Sequence, residues 1–316
     1  MKYYLAPLEG ITTYIYRNAF HKHFRKMDKY FTPFIVPHID KKFNTRELKE
    51  LSPEHNEGLM VVPQLLTNNA EAFLKTGNDI HAMGYDEINL NLGCPSKTVV
   101  TKNKGSGFLA FPEELDRFLY EIFSKARFKI SVKTRIGRDS ADEFDKLLHI
   151  YNQYPIEELT VHPRIQADYY NNTPNWEVFE TASANSKNPL CYNGDISSKA
   201  SYEKFHLQFP NVDAVMLGRG IISNPGLVGN IENEKELSKT ILRSFHDDIL
   251  EEYIKISSGE RSVLFKMKEL WFYMISMFED AEKFAKKIKK AERLKDYNQI
   301  INTLFATCDL RKDSND

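Results

Sequence analysis

The sequence predicts an α/β protein, a (β/α)8 TIM barrel followed by a C-terminal helical bundle. Three observations predict it. Eight short apolar runs recur at near-even spacing through roughly the first 230 residues, most of them followed by a helical pattern. From Leu237 onward no strand candidate occurs, only amphipathic helical stretches. No G-x-G-x-x-G follows the first apolar run, which argues against a doubly wound dinucleotide-binding sheet. Residues 1–236 are therefore assigned to the barrel and residues 237–316 to the helical domain, with the boundary near residue 236.

The predicted strands start at Tyr3 (YYLAP), Tyr30 (YFTPFIV), Leu59 (LMVVPQLL) and Glu87 (EINLNL). Four more start at Phe128 (FKISVKTR), Glu157 (EELTVHP), Pro189 (PLCYNGD) and Asp213 (DAVMLGR). They read as near-continuous apolar runs, as parallel strands covered on both faces do. Between them, NNAEAFLKTGNDIHAMG begins on Asn and stops on Gly. PEELDRFLYEIFSKA opens with Pro and acids and closes on Lys, in keeping with the helix dipole. DSADEFDKLLHIYNQY and SSKASYEKFHLQF follow the same logic, while HIDKKFNTRELKELSPE is the least regular connection. Beyond the boundary, LSKTILRSFHDDILEEYIKIS, RSVLFKMKELWFYMISMFED and AEKFAKKIKKAERLKDYNQIINTLFA read as successive helices.

Of the 316 residues, 41% are hydrophobic, enough for a sizeable core. The net charge of −1 gives no global argument for a nucleic-acid partner, which must come from local patches. Cys94, Cys191 and Cys308 form no C-x-x-C pair, so neither a disulfide framework nor a zinc site is expected. The N-terminus MKYYLAPLEG carries no apolar signal core, and no run approaches ~18 apolar residues. A cytoplasmic setting without a membrane segment is expected.

In a parallel barrel, chemistry sits at the C-terminal ends of the strands. Polar residues stand at nearly all of those ends. The first strand leads to Pro7, Leu8 and Glu9, the third holds Gln64, and the fourth carries Asn89, Asn91 and Cys94. The fifth bears Lys133 and Arg135, and the sixth His162 and Arg164. The seventh ends in Asn193, Gly194 and Asp195, and the eighth in Gly218, Arg219 and Gly220. Any one of them is readily a strand cap; a nearly complete ring of them points to a site, because buried Lys, Gln or Asn is costly unless paired. Glycines and an arginine after the last two strands suit a phosphorylated cofactor or substrate. Cys191, between Leu190 and Tyr192, and Cys308 read as small buried hydrophobes. Cys94 differs: it lies past its strand between Gly93 and Pro95, presented to the segment SKTVVTKNKGSG, and suits nucleophilic or acid–base chemistry.

The stretch INLNLGCPSKTV, followed by GSGFL, resembles the signature of the tRNA-dihydrouridine synthases. LAPLEGIT, VPQLL, SVKTR, VHPR, YNGDI and MLGRG match that family in order and spacing. The resemblance covers the barrel strongly and the helical part more loosely. It implies FMN at the barrel mouth, NADPH or NADH as reductant, and a uridine of the tRNA D-loop as substrate. Position by position, it implies that Pro7, Leu8 and Glu9 line the flavin and that Gln64 and Lys133 contact the polar edge of its ring. Asn193, Gly194, Asp195, Gly218 and Arg219 would hold the ribityl phosphate, with Asn91 and His162 at the base or the flavin beside it. Cys94 would be the catalytic acid: hydride goes to carbon 6 of uracil, and a proton reaches carbon 5 from the opposite face. A thiol of ordinary pKa ~8.5 is largely protonated at neutral pH and can supply it. Three departures are Leu8, where the family often has Met, HPRIQ in place of His-Gly-Arg-Thr, and NKGSGF, with a lysine before its glycines.

An RNA substrate needs phosphate contacts. KFAKKIKKAERLK supplies Lys286, Lys287, Lys289 and Lys290 on a helix whose apolar stripe is narrow. A solvated face is the plainer reading of such lysines; the implied tRNA substrate favours phosphate binding, with Arg135 and Arg164 as further contacts at the mouth. The nearest rival is an FMN barrel acting on a free pyrimidine, like a dihydroorotate dehydrogenase, which needs no basic helical appendage. A flavin-free RNA-binding barrel and a cysteine hydrolase are weaker rivals; the second lacks a His–Asp partner set. A monomer is expected.

Overall fold

The computed structural model describes residues 1–234 and 237–311, so the expected boundary near residue 236 lies outside the described residues. Nine strands form one sheet: β1 (Lys2–Leu5), β2 (Lys29–Phe31), β3 (Val61–Val62), β4 (Gln64–Leu65), β5 (Glu87–Leu92), β6 (Lys129–Gly137), β7 (Leu159–Ile165), β8 (Leu190–Tyr192) and β9 (Ala214–Leu217). Their order is β3-β2-β1-β9-β8-β7-β6-β5-β4, with every pairing parallel. β3 and β4 are two halves of one predicted strand, LMVVPQLL, divided at Pro63. Proline cannot donate to a ladder, but the Pro63 carbonyl still accepts the Asn89 N–H at 2.9 Å. The two edges of the sheet meet at this residue, and the barrel has eight strand positions.

Three of the nine strands depart from the continuous apolar reading. Along β5 to β7, Asn89, Asn91, Ser131, Lys133, Thr160 and His162 alternate with buried Ile88, Leu90, Leu92, Ile130, Val132, Leu159 and Val161. Strand side chains alternate between faces, so the apolar set packs on the helices and the polar set turns into the barrel. The opposite part of the barrel is filled by an apolar cluster of Tyr4, Ala6, Phe31, Val62, Cys191, Ala214 and Met216. The interior is thus apolar on one side and polar on the other.

The predicted helices form at Ala70–Ala82, Pro112–Lys125, Glu143–Tyr151 and Lys199–Gln208. Tyr14–His23 and Trp176–Asn185 complete the ring. The irregular second connection is held by polar contacts rather than periodicity. Arg17, fully buried, donates to Glu50 at 2.8 Å, Asn56 Oδ1 at 2.8 Å and the Thr12 carbonyl at 3.0 Å.

Past the barrel come helices Lys239–Ile256, Glu260–Met274, Glu282–Lys290 and Leu294–Thr307. The last predicted helix is therefore two, broken at Ala291–Arg293, where the Leu294 N–H is taken up by the Glu260 carboxylate at 3.0 Å. These helices share one continuous core with the barrel. Phe245 packs edge-on against Tyr16 and Phe24, with ring centroids 5.5 and 4.9 Å apart. No helix among the described residues is long and apolar enough to cross a membrane.

Candidate active site

A cleft of about 1100 Å³ opens at the C-terminal ends of the strands. It is lined by Pro7, Leu8 and Glu9, by Gln64, Asn91 and Cys94, by Lys133, Arg135 and His162, and by the Asn193–Ser197 and Met216–Gly220 segments. Thus every predicted cofactor residue, the cysteine, Asn91 and Arg135 meet at one place. Arg164, Lys286, Lys287 and Lys290 do not line it.

Its floor is a directed chain of amides. Asn91 Nδ2 donates to Gln64 Oε1 at 2.8 Å, Gln64 Nε2 to Asn89 Oδ1 at 2.8 Å, and Asn89 Nδ2 to Ser131 Oγ at 2.9 Å. The chain satisfies the buried polar atoms, and Gln64 keeps a second amide proton. Asn91 Oδ1 accepts the backbone N–H groups of Gly93 at 3.0 Å and Cys94 at 2.9 Å, so the strand's exit is tied to its own interior.

Cys94 is half-buried, and the segment after it is seated rather than extended. A short helix, Lys97–Val100, leads to a 3-10 turn, Gly105–Ala110, in which residues 105–109 are buried. Ser106 donates through its N–H, at 3.1 Å, and its hydroxyl, at 2.9 Å, to the Cys94 carbonyl. Gly105, at φ +57°, permits this contact: a Cβ there would stand 2.7 Å from the Cys94 carbonyl oxygen. Burial pushes the thiol above its ordinary value; the Ser96 N–H and the charges of Arg135 and Lys133 offset this only in part. The thiol is therefore protonated at neutral pH.

Lys133 makes no hydrogen bond or ion pair among the described residues. Burial, then the charge of Arg135, pulls its pKa down to about 8. His162 is pushed well below the ordinary histidine value, first by burial and then by Lys133, Arg135, Arg164 and Arg219. Its Nε2 lies 3.0 Å from Arg164 Nη1, a donor, so the neutral ring carries its proton on Nδ1.

Asp195 joins the two ends of the phosphate-type wall. It accepts Arg164 through both carboxylate oxygens and Arg219 Nη2 at 3.0 Å. Burial raises its pKa, but Arg164 and Arg219 more than reverse that, and the carboxylate stays below its ordinary value. Asn193 Nδ2 donates to the Met216 carbonyl at 2.8 Å, tying the end of β8 to β9. A Cβ at Gly194 would stand 2.6 Å from the Tyr192 hydroxyl, so only glycine fits.

Two expected mouth residues are placed otherwise. Arg135 is 1% exposed, and it donates to the carbonyls of Gly93 at 3.0 Å, Ile165 at 2.8 Å and Tyr169 at 2.5 Å. Arg164 is 2% exposed and holds the Asn171 and Asn172 carbonyls besides Asp195. The Arg164 donors are all committed inside the protein, whereas Arg135 spends three of its five N–H groups on carbonyls and still lines the cleft. Lys286, Lys287, Lys289 and Lys290 are all exposed, on the helix Glu282–Lys290.

Five aromatic residues of the cleft are not marked by the sequence: Phe34, Tyr169, Tyr170, Phe272 and Tyr273. Tyr169 and Tyr170 lie in an aperiodic segment after β7, and Tyr169 has φ +51°. The Tyr170 ring is covered by Arg219 at 4.6 Å and Arg135 at 5.5 Å. Phe272 and Tyr273 come from the helix Glu260–Met274 and reach the cleft only through the packing of the C-terminal helices.

The family model for dihydrouridine synthase (Dus) matches residues 4–312. The chain belongs to the dihydrouridine synthase family. As a member it is a flavin-dependent oxidoreductase. Its relatives include a probable tRNA-dihydrouridine synthase of Staphylococcus epidermidis, 26% identical over 98% of this chain and 95% of that one. Another from Staphylococcus aureus is 29% identical over 70% of this chain and 68% of its own. Probable tRNA-dihydrouridine synthase 2 of Bacillus subtilis is 28% identical over 79% and 78%. Among solved structures, morphinone reductase in complex with tetrahydroNAD is 11% identical, with a TM-score of 0.49 over 77% of this chain and 90% of that one.

The cleft fits a flavin. An ammonium without a partner, Lys133, and an amide with a proton to spare, Gln64, face a space large enough for a tricyclic ring. Arg219 and the Gly218–Gly220 backbone line the same cleft and offer a guanidinium and backbone N–H groups of the kind that hold a phosphate.

Proposed function

We propose that this dihydrouridine synthase uses FMN and NADPH or NADH to reduce the C5=C6 bond of a uridine in the tRNA D-loop, with Cys94 as the proton donor. The observation that carries the reading is a protonated, half-buried thiol held over the same cleft as an unpartnered lysine. Bound FMN supplies the hydride for carbon 6. Pro7, Leu8 and Glu9 line the ring, Gln64 and Lys133 hold its polar edge, and Asn193, Gly194, Asp195, Gly218 and Arg219 anchor the phosphate side. Lys133 stabilises negative charge that develops there during reduction. Cys94 delivers its proton to carbon 5 from the opposite side, and general acid catalysis of this kind contributes roughly 10²–10⁴-fold. Asn91 keeps the thiol in place through the Cys94 N–H. His162, neutral and buried, donates a hydrogen bond without adding charge.

The helices after residue 237 form the RNA-binding part, with Lys286, Lys287 and Lys290 on phosphates. A uridine must leave the base stack to reach the thiol, which costs least in a loop. The test is turnover of an unmodified tRNA transcript by the purified, FMN-loaded protein with NADPH, reading dihydrouridine by mass spectrometry. Dihydrouridine at a D-loop position is the expected result. Reduction of free orotate or uracil with none in tRNA would overturn the reading.

A further inference from the structure

Helix Glu260–Met274 carries two large, solvent-facing rings, Phe265 and Phe272, 59% and 77% exposed. They are seven residues apart, close to two turns, so they share one face, about 10 Å apart along the axis. Phe272 also lines the active-site cleft. Two cations, Arg261 and Lys268, are on the same helix, and neither makes an ion pair or hydrogen bond among the described residues.

The placement is rigid. Trp271, 2% exposed, donates its Nε1–H to the Tyr297 hydroxyl at 2.7 Å, which fixes the last turn and aims the next residue outward. Lys266 donates to the Gly10 carbonyl at 3.2 Å and to Glu269 at 2.9 Å, fastening the helix to the rim beside Glu9. Phe272 meets Tyr273 edge-on at 5.1 Å.

What sets these two rings apart from other exposed apolar side chains is their place: they share one helix face with Arg261 and Lys268, and Phe272 stands at the mouth of the cleft. We propose that the Phe265–Phe272 face is a stacking track for single-stranded RNA flanking the reduced uridine, with Phe272 taking the unpaired base next to it at the cleft mouth. Aromatic planes interleaved with free cations are the arrangement that binds single strands, because every base has a π-face and every step a phosphate. The track is continuous with the cleft, so the nucleotide entering it and the base on Phe272 belong to one strand. This inference rests on the tRNA reading of the cleft.

The experiment compares Phe272→Ala, Phe272→Leu and Phe272→Trp in the FMN-loaded protein. The readouts are affinity for an unmodified tRNA transcript, the KM and kcat of its reduction, and the rate of NADPH oxidation without RNA. Stacking predicts a loss of affinity of about ten-fold for both Ala and Leu, with Trp at or above wild type. NADPH oxidation without RNA, measured on each variant, separates a disturbed cleft from a lost RNA contact. Wild-type affinity in Phe272→Leu overturns stacking, and wild-type affinity in Phe272→Ala overturns any role for the ring. Both outcomes leave the tRNA reading standing as long as the wild-type enzyme makes dihydrouridine. Failure of the wild-type enzyme to act on tRNA overturns that reading, and this one with it.

Discussion

The side-chain oxygen of Asn91 accepts the backbone N–H of Cys94 at 2.9 Å, and its amide nitrogen donates to Gln64 at 2.8 Å. One side chain thus fixes both the thiol and the cleft floor, and Asn91 acts as a positioning residue. Asn91→Ala leaves the N–H groups of Gly93 and Cys94 unpaired, which costs about 2 kcal/mol or more of stability. Its tRNA turnover is expected to fall at least ten-fold in kcat with flavin still bound. Thermal unfolding and steady-state kinetics together check this; an unchanged kcat would show that the thiol needs no such tether.

Cys94→Ala is expected to bind FMN and to let NADPH reduce it at the wild-type rate, since neither step needs the thiol. Reduction of tRNA should fall roughly 10²-fold or more. Because burial raises the thiol's pKa, loss of the Cys94 proton should not limit wild-type turnover at neutral pH and should lower it only in the alkaline range. Cys191→Ala, in a fully buried strand position, should change stability and not the rate.

Lys133 gives a pH signature. Its pKa in the folded protein is about 8 against an ordinary 10.5, so the unfolded chain holds this proton more tightly. The penalty is fully present below about 8 and fades as pH rises to 10.5. Flavin-free Lys133→Met is therefore expected to be more stable than wild type at pH 7, with the gap closing between pH 8 and 10.5. The same variant should bind FMN more weakly or be reduced more slowly. Chemical denaturation across that range and flavin titration measure the two effects; a pH-independent gap would refute the assignment.

Arg135→Met is expected to destabilise the protein by on the order of 3 kcal/mol, because three backbone carbonyls lose their donor. Lysine, with no planar fork, should not rescue it. If Arg135 instead served RNA, its loss would lower the salt dependence of tRNA binding and leave unfolding untouched.

Replacing Lys286, Lys287, Lys289 and Lys290 by Gln should weaken tRNA binding and leave NADPH oxidation intact. For every phosphate that these lysines neutralise, the slope of log affinity against log salt should become shallower by up to ~0.9. An unchanged slope would assign phosphate binding elsewhere, with Lys268 and Arg261 the first to test.

The barrel was legible in the sequence because its signals are local. Asn69 caps a helix and accepts the Ala72 N–H at 2.8 Å, and Pro112 and two glutamates open another, as their residue types require. The strand ends carry their polar residues in chain order, so Gln64, Asn91, Cys94, Lys133 and His162 could be named as one site before any distance was known. Which of those polar groups are free was decided only by packing. Arg135 and Lys133 are two residues apart and both cationic; one is consumed by three carbonyls and the other by none, because of where the β5 and β7 exits pass. Phe272 and Tyr273 stand far from the cleft in sequence. They belong to it because the apolar face of a C-terminal helix had to be buried against the barrel, and that burial turned the two rings into its mouth.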